Sequence, residues 1–281
     1  MTAIPTVTLP DGTEIPALGQ GTWHMGESAS QAAAEAKTLR AGIERGLALI
    51  DTAEMYAAGG AERVVAQAIA GQRENVFLVS KVSPQNASAQ GVEKSCNASL
   101  ARLGSDHIDL YLLHWPGRFP IAETIAAFEK LRDAGKIRYW GVSNFDTAGM
   151  EDILAAPQGS NCATNQVLYH PDARGIEFDL LPWCRSKNMP VMAYSPLGQA
   201  GLLLRSPALA AIGRRHNATP AQIALAWSLR DGNTISIPKA SSPAHLEENA
   251  AAATIRLTDQ DLAEIDAAHK PPRTKKPLGM L

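Results

Sequence analysis

Short apolar runs recur along the chain, and each stops at a polar residue. Leu47-Ala48-Leu49-Ile50 stops at Asp51, with Tyr56 a few residues on; residues 76–80 stop at Lys81; residues 108–113 stop at His114. Runs this short, bounded by polar residues, read as buried strands of a parallel sheet. Further strands are predicted over 18–23, 136–142, 162–167, 190–194 and 234–237. Helical stretches separate them at 28–45, 61–70, 88–103, 121–134, 147–156 and 178–187. Later come 207–216, 220–230, 243–252 and 259–268. Gly46, Gly71, Gly104 and Gly135 follow helices as C-terminal stops. Eight strands alternating with helices, joined by right-handed crossovers, favour an α/β fold closed as a (β/α)8 TIM barrel with two extra helices. An open doubly wound sheet is disfavoured: Gly19-Gln20-Gly21 lacks the third glycine and the helix of a dinucleotide fingerprint. Its glycines instead suit close backbone approach at a strand end. Residues 6–16 alternate around Asp11-Gly12, a hairpin signal. An antiparallel hairpin has no place in a parallel barrel, so it is expected to cap the bottom.

Length and composition narrow this little further. The chain has 281 residues, suiting a single barrel domain over residues 1–281. No basic run is long enough for nucleic acid, and Arg273 to Lys276 reads as a solvated tail. Cys96, Cys162 and Cys184 are sparse and lack ligand spacing, which predicts reduced thiols and a cytoplasmic protein rather than a disulfide framework. No signal peptide and no membrane-crossing stretch is read.

In such a barrel, reactive groups sit where strands end. Taken singly, Asp51, Lys81 and His114 are ordinary: a loop carboxylate, a solvated amine, a core histidine. If their strands are neighbours, they form a unit with Tyr56. An ammonium beside the phenol is expected to pull its pKa, ordinarily about 10, toward neutrality. A carboxylate would hold that ammonium, and the imidazole could polarise a substrate oxygen. The set suits proton donation to a carbonyl oxygen. It does not suit acyl transfer, because no GxSxG elbow occurs, and no metal-ligand spacing is present.

Several spaced motifs carry a resemblance. They are Leu49-Ile50-Asp51-Thr52-Ala53-Glu54-Met55-Tyr56, Leu78-Val79-Ser80-Lys81, Asp109-Leu110-Tyr111-Leu112-Leu113-His114-Trp115-Pro116, Gly141-Val142-Ser143-Asn144-Phe145 and Ile237-Pro238-Lys239. Together they resemble the aldo-keto reductase family across essentially the whole chain. Gly60-Ala61-Glu62, Gln166-Val167-Leu168-Tyr169-His170 and Gly175-Ile176-Glu177 further resemble bacterial members that reduce methylglyoxal. The resemblance implies a barrel that binds NADPH, with NADH as a second acceptable cofactor, and reduces a small-molecule carbonyl. It places Asp51, Tyr56, Lys81 and His114 on the catalytic tetrad, with Tyr56 as general acid. Ser143, Asn144 and Gln166 would bond the carboxamide, and Tyr194 would stack on the nicotinamide. Ser195 and Leu197 would follow the pyrophosphate. Lys239 would meet the 2′-phosphate and Asn249 the adenine. Gly21, Thr22, Trp23 and Asp51 are implied cofactor contacts at the first two strand ends. Ile237, Ala240, Ser241, Ser242, His245 and Glu248 are implied around Lys239. Trp23 and Trp115 would wall the substrate pocket beside Tyr56 and His114. A monomer is the family's common state.

Two departures change the expectation. Where relatives often carry Arg six positions beyond the lysine, this chain has His245. A histidine is mostly neutral at pH 7, so a weaker preference for NADPH over NADH is expected. The loop after His114 and the tail from Lys270 are short, and Ser83 stands where relatives often carry Trp, so an open pocket is expected. Small 2-oxoaldehydes and activated aromatic aldehydes are the implied substrates. The rivals are a cofactor-sensing barrel subunit with little turnover and a barrel hydrolase using Asp51 and His114. The second leaves Tyr56 and Lys81 without a role.

Overall fold

Eight parallel strands form one sheet in the computed structural model, which describes residues 4–281. They are β3 (Gln20–Gly21), β4 (Leu49–Asp51), β5 (Phe77–Val82), β6 (Ile108–Leu113), β7 (Ile137–Ser143), β8 (Cys162–Leu168), β9 (Val191–Tyr194) and β10 (Thr234–Ile237). Each pairs with its neighbours in chain order. The first and last strands meet through a parallel bridge between Leu18 and Ser236, and Gly21 N donates to Pro238 O at 3.0 Å. The sheet is therefore closed. At this seam Gly21 has no room for a side chain: a Cβ would lie 2.8 Å from Ile237 O. The strand proper is shorter than the predicted 18–23, but Gly19 and Thr22 on either side still donate to Ser236 O and Asp51 O.

The helices are α1 (Ala29–Glu44), α2 (Gly60–Ile69), α3 (Ala89–Leu103), α4 (Ile121–Asp133), α5 (Thr147–Ala155) and α6 (Leu180–Ser186). They continue with α7 (Pro207–His216), α8 (Pro220–Leu229), α9 (Pro243–Ala252) and α10 (Asp259–Ala268). Helices α7 and α10 are the additions to the repeating unit, and Arg215 and His216 of α7 both reach Asp261 of α10. Threonines at positions 219 and 258 close capping boxes on α8 and α10, satisfying amides that a helix start leaves free. The hairpin of β1 (Thr6–Thr8) and β2 (Glu14–Pro16) covers the N-terminal end of the barrel. Its Val7, Leu9 and Ile15 pack with Leu49, Val79, Leu110 and Leu112 inside the barrel.

Side chains alternate between the barrel interior and the helix layer, as a strand's period of two requires. Leu49, Val79, Leu110 and Leu112 point inward, whereas Ile50, Leu78, Tyr111 and Leu113 face the helices. Asp51, Lys81 and His114 lie two residues beyond Leu49, Val79 and Leu112. They therefore inherit the inward direction. Strand β8 breaks the alternation. Its register against β7 shifts between Trp140 and Val142, which pair with Cys162 and Asn165. This bulge brings Ala163 and Gln166 to the same inner face, as a bulge re-aims the residues beyond it.

The three cysteines are free and buried, and burial pushes each thiol up to about 12. Among the described residues, no helix is long and apolar enough to cross a membrane. The Arg273 to Lys276 segment is less free than a solvated tail: Lys275 pairs with Asp179 at 3.0 Å, and Leu278 packs on the core.

Candidate active site

Lys81 is fully buried at the C-terminal end of β5, and all three of its donors are used. Nζ donates to Asp51 Oδ2 at 2.7 Å, to the Thr52 carbonyl at 2.8 Å and to the Tyr56 hydroxyl oxygen at 3.3 Å. Burial, the largest single influence, works against the ammonium, but Asp51 and Tyr56 together outweigh it and the lysine pKa is raised. The other Asp51 oxygen accepts from Gln166 Nε2 at 2.8 Å. Lysine and carboxylate are thus held in one geometry from three strands. Because Tyr56 oxygen accepts from Lys81, its own proton is free to point elsewhere.

The expected lowering of the Tyr56 pKa is not found. Burial raises it by more than the Lys81 charge lowers it, and Asp51 adds to the rise. Burial is the main cause, and the paired carboxylate offsets part of the ammonium's field at the phenol. Tyr56 is a protonated phenol at neutral pH.

His114 stands across from Tyr56, with ring centroids 5.7 Å apart and edge to face. Burial, reinforced by the Lys81 charge, holds its pKa down at about 2. The ring is neutral, and its buried Nδ1 has no partner. A neutral imidazole beside a phenol can offer a hydrogen bond without a competing positive charge. Trp115 lies against His114 at 4.9 Å, and the half-exposed Trp23 stacks on His24 at 4.3 Å.

The polar ends of β7 to β9 gather beside this group. Asn144 adopts a left-handed backbone (φ 63°) and donates to the His114 carbonyl and to Ser143 Oγ, both at 3.1 Å. Ser143 Oγ donates to Gln166 O, and the Tyr194 hydroxyl donates to Asn144 Oδ1 at 3.0 Å. Thr22 of the β3 end donates to Asp51 O at 2.9 Å. Ser143, Asn144 and Gln166 are therefore together, but they bond one another and Asp51.

A second group lies around the β10 end. Ile237 is buried, and Lys239 is exposed with Nζ donating to Ser241 Oγ at 2.5 Å. Ser242 caps α9, accepting from His245 N. Ala240 and Asn249 are buried; Ser241 and His245 are exposed, and Glu248 is partly so. Ser195 is left-handed at φ 49°, and Leu197 is half-buried beside it.

The tail also returns to this face. Leu281 backbone approaches the Tyr194 hydroxyl, and a cavity of about 210 Å³ lies between Leu281, Ser195, Leu202 and Asp172.

Sequence reasoning missed three contributors. Thr52 supplies only its carbonyl, which no side-chain pattern signals. Glu54 fixes the neighbouring loop by accepting from Ser83 N at 2.8 Å and Asn86 Nδ2 at 3.0 Å. Glu62 is completely buried on α2; Gly60-Ala61-Glu62 carried a resemblance to methylglyoxal-reducing members but no place for the carboxylate in the site.

Comparison with known proteins gives the same answer from another direction. The model of the aldo/keto reductase family matches residues 17–270. The chain is 55% identical over 271 residues to methylglyoxal reductase YeaE of Escherichia coli, covering 95% of each chain. It is 34% identical to glyoxal reductase of Bacillus subtilis, over 95% of this chain and 94% of that one. An aldo/keto reductase from Klebsiella pneumoniae, crystallised with NADP and acetate, superposes with a TM-score of 0.97 at 49% identity. That match covers 99% of this chain and 100% of the other. A barrel with these strand-end groups, matched over nearly its whole length, belongs to the aldo/keto reductase family.

Proposed function

We propose that the protein reduces aldehydes, chiefly small 2-oxoaldehydes of the methylglyoxal type and activated aromatic aldehydes, using NADPH. One observation carries the chemistry: Lys81, with every donor engaged, holds the Tyr56 oxygen and leaves its proton free. The relatives named for methylglyoxal and glyoxal support the substrate class. The Klebsiella enzyme crystallised with NADP supports the cofactor.

The residues present fit a nicotinamide cofactor. The buried Asn144, Ser143 and Gln166 offer amide and hydroxyl groups that can exchange their mutual bonds for those of a carboxamide. The partly exposed Tyr194 ring beside them can cover a flat heterocycle. Lys239, Ser241 and His245 present a cation and polar groups to solvent near the α9 start, suited to a phosphate. NADPH, when bound, supplies the hydride.

The chain's own residues manage the proton and the charge. Tyr56 donates its proton to the carbonyl oxygen as negative charge develops there. Lys81 stabilises the phenolate left behind, and Asp51 keeps Lys81 charged and fixed. Neutral His114 donates to the carbonyl oxygen and orients it. Its ring position, edge-on to Tyr56, lets both groups address one oxygen.

Measuring kcat/KM for methylglyoxal with NADPH and with NADH, beside Tyr56→Phe, tests this reading. Turnover should vanish in Tyr56→Phe while NADPH still binds. The preference for NADPH should be modest, because His245 lacks the permanent, forked charge that an arginine at this position would offer a phosphate. Absence of turnover in the native enzyme despite tight NADPH binding would favour a cofactor-sensing role instead. A very large NADPH preference maintained at pH 8 would defeat the His245 argument, and ketosteroids outpacing methylglyoxal would defeat the proposed substrate class.

A further inference from the structure

We infer that Glu62 is a positioning residue for the Tyr56–Lys81 pair, acting through a buried junction with Ser80 and Arg102. The inference rests on the proposed roles of Tyr56 and Lys81.

The two side chains come from different elements. Lys81 belongs to β5, whereas Tyr56 opens a tight turn that leads into α2. Nothing in the pair itself fixes their separation, because a 3.3 Å hydrogen bond is long and soft. Glu62 joins the two carriers. It sits in the first turn of α2 and is fully buried. One oxygen accepts from Ser80 Oγ at 2.7 Å, and the other accepts from Arg102 Nε of α3 at 2.5 Å. Ser80 is the residue before Lys81, pointing to the helix layer while Lys81 points inward. A carboxylate on α2 is thus bonded to the strand that carries the lysine.

Arg102 closes the junction on the Tyr56 side. Its stem lies against Gly59, where a Cβ would come within 2.5 Å of Arg102 Cδ. The turn between Tyr56 and Gly59 is left-handed throughout: Ala57 and Ala58 both have φ 49°, and Gly59 has φ 82°. Alanine disfavours that conformation, so the turn holds its shape only because its surroundings impose it. One abutment is Arg102 under Gly59. The other is the backbone of Gly26, itself bonded to Glu35 at 2.8 Å, against Gly60. Releasing Arg102 from Glu62 frees one abutment and the link to β5 together.

The test uses the full-length enzyme with Glu62→Gln, which keeps an acceptor for Ser80 but removes the charge that holds Arg102. Arg102→Lys, which retains the charge but loses the fork, is the second variant. In both, kcat for methylglyoxal should fall by about tenfold or more, since small misplacements of reacting groups cost rate steeply. KM and the NADPH dissociation constant should stay within about twofold. A readout independent of turnover is the ¹³Cζ resonance of labelled Tyr56, assigned by its loss in Tyr56→Phe. It should move in Glu62→Gln. If the native enzyme turns over no carbonyl, the function is wrong, and the resonance still decides the junction. An unmoved resonance with unchanged kcat, whatever the change in melting temperature, would make Glu62 a structural hub only.

Discussion

The two ends of the barrel use the same chemistry under opposite rules. At the bottom, every connection leading from a helix to the next barrel strand carries one left-handed residue: Gly46, Gly71, Gly104, Gly135, Gln158, Asn188 or Gly232. Most are glycines, which adopt that conformation without steric cost. At the top, the left-handed positions include His24, Ala57, Ala58, Asn144, Ser195, Gln199 and Ala200. Buried carboxylates differ in the same way. At the bottom, Asp109 accepts from Arg73 and Leu78 N on one oxygen and pairs with Arg138 on the other. Its arginines reach solvent at their far sides. At the top, Asp51 faces a lysine with no exposure, next to an imidazole nitrogen without a partner. The bottom follows local preference; the top overrides it around the groups proposed to carry the reaction.

Substitutions can break this comparison. Asp51→Asn should be the most damaging, because it strands the buried Lys81 charge. Stability should fall by about 3–5 kcal/mol and kcat by about a hundredfold or more. Denaturant titration and steady-state kinetics measure the two effects. Asp109→Asn should lose about 2–3 kcal/mol, the worth of hydrogen bonds to charged groups, with kcat unchanged. An equal loss of kcat in both variants would erase the distinction between the ends.

The pH dependence of stability carries a contribution from His114 at the top. His114 titrates at about 2 in the folded protein, against about 6.5 when unfolded. Below pH 6.5 the unfolded chain takes up a proton that the folded site refuses. Stability from this group is therefore complete above pH 6.5 and declines as pH falls, by about 1.4 kcal/mol per unit. By pH 5 the loss should reach about 2 kcal/mol. His114→Gln should flatten that slope in paired melts at pH 7 and pH 5; an unchanged slope would mean the ring is accessible to protons.

The smallest effects sharpen the backbone contrast. Gly135→Ala should cost about 1 kcal/mol, since its φ of 71° is hostile to a side chain although the space around it is open. Ala58→Gly should be neutral or stabilise by up to about 1 kcal/mol, relief of strain being partly offset by a freer unfolded chain. Thermal melts in one buffer suffice, and a stabilised Gly135→Ala would contradict the account.

Much of the site was legible because strand alternation is local. Leu49 and Asp51, Val79 and Lys81, and Leu112 and His114 each share a face by position alone. The barrel followed from the repeated strand–helix pattern, and the hairpin from Asp11-Gly12. Gln166 illustrates what was not legible. Regular alternation from Ala163 would point Asn165 inward; the bulge, created by pairing with β7, substitutes Gln166. The left-handed turn at Ala57-Ala58 was equally hidden, since alanine is a helix former. The Tyr56 pKa depended on burial and on how far Asp51 cancels Lys81, both properties of the packed state. The return of Leu281 to Tyr194 leaves no periodic trace at all.

The buried cysteines have a practical consequence. Dicarbonyls and alkylating dyes attack the thiolate form, and thiols held at about 12 are almost entirely protonated at neutral pH. The native enzyme should therefore store without reductant and show essentially no colour with a thiol reagent until it unfolds. A cysteine introduced at the exposed Met55, one residue before Tyr56, would then be the single addressable handle for a fluorophore watching the mouth of the barrel.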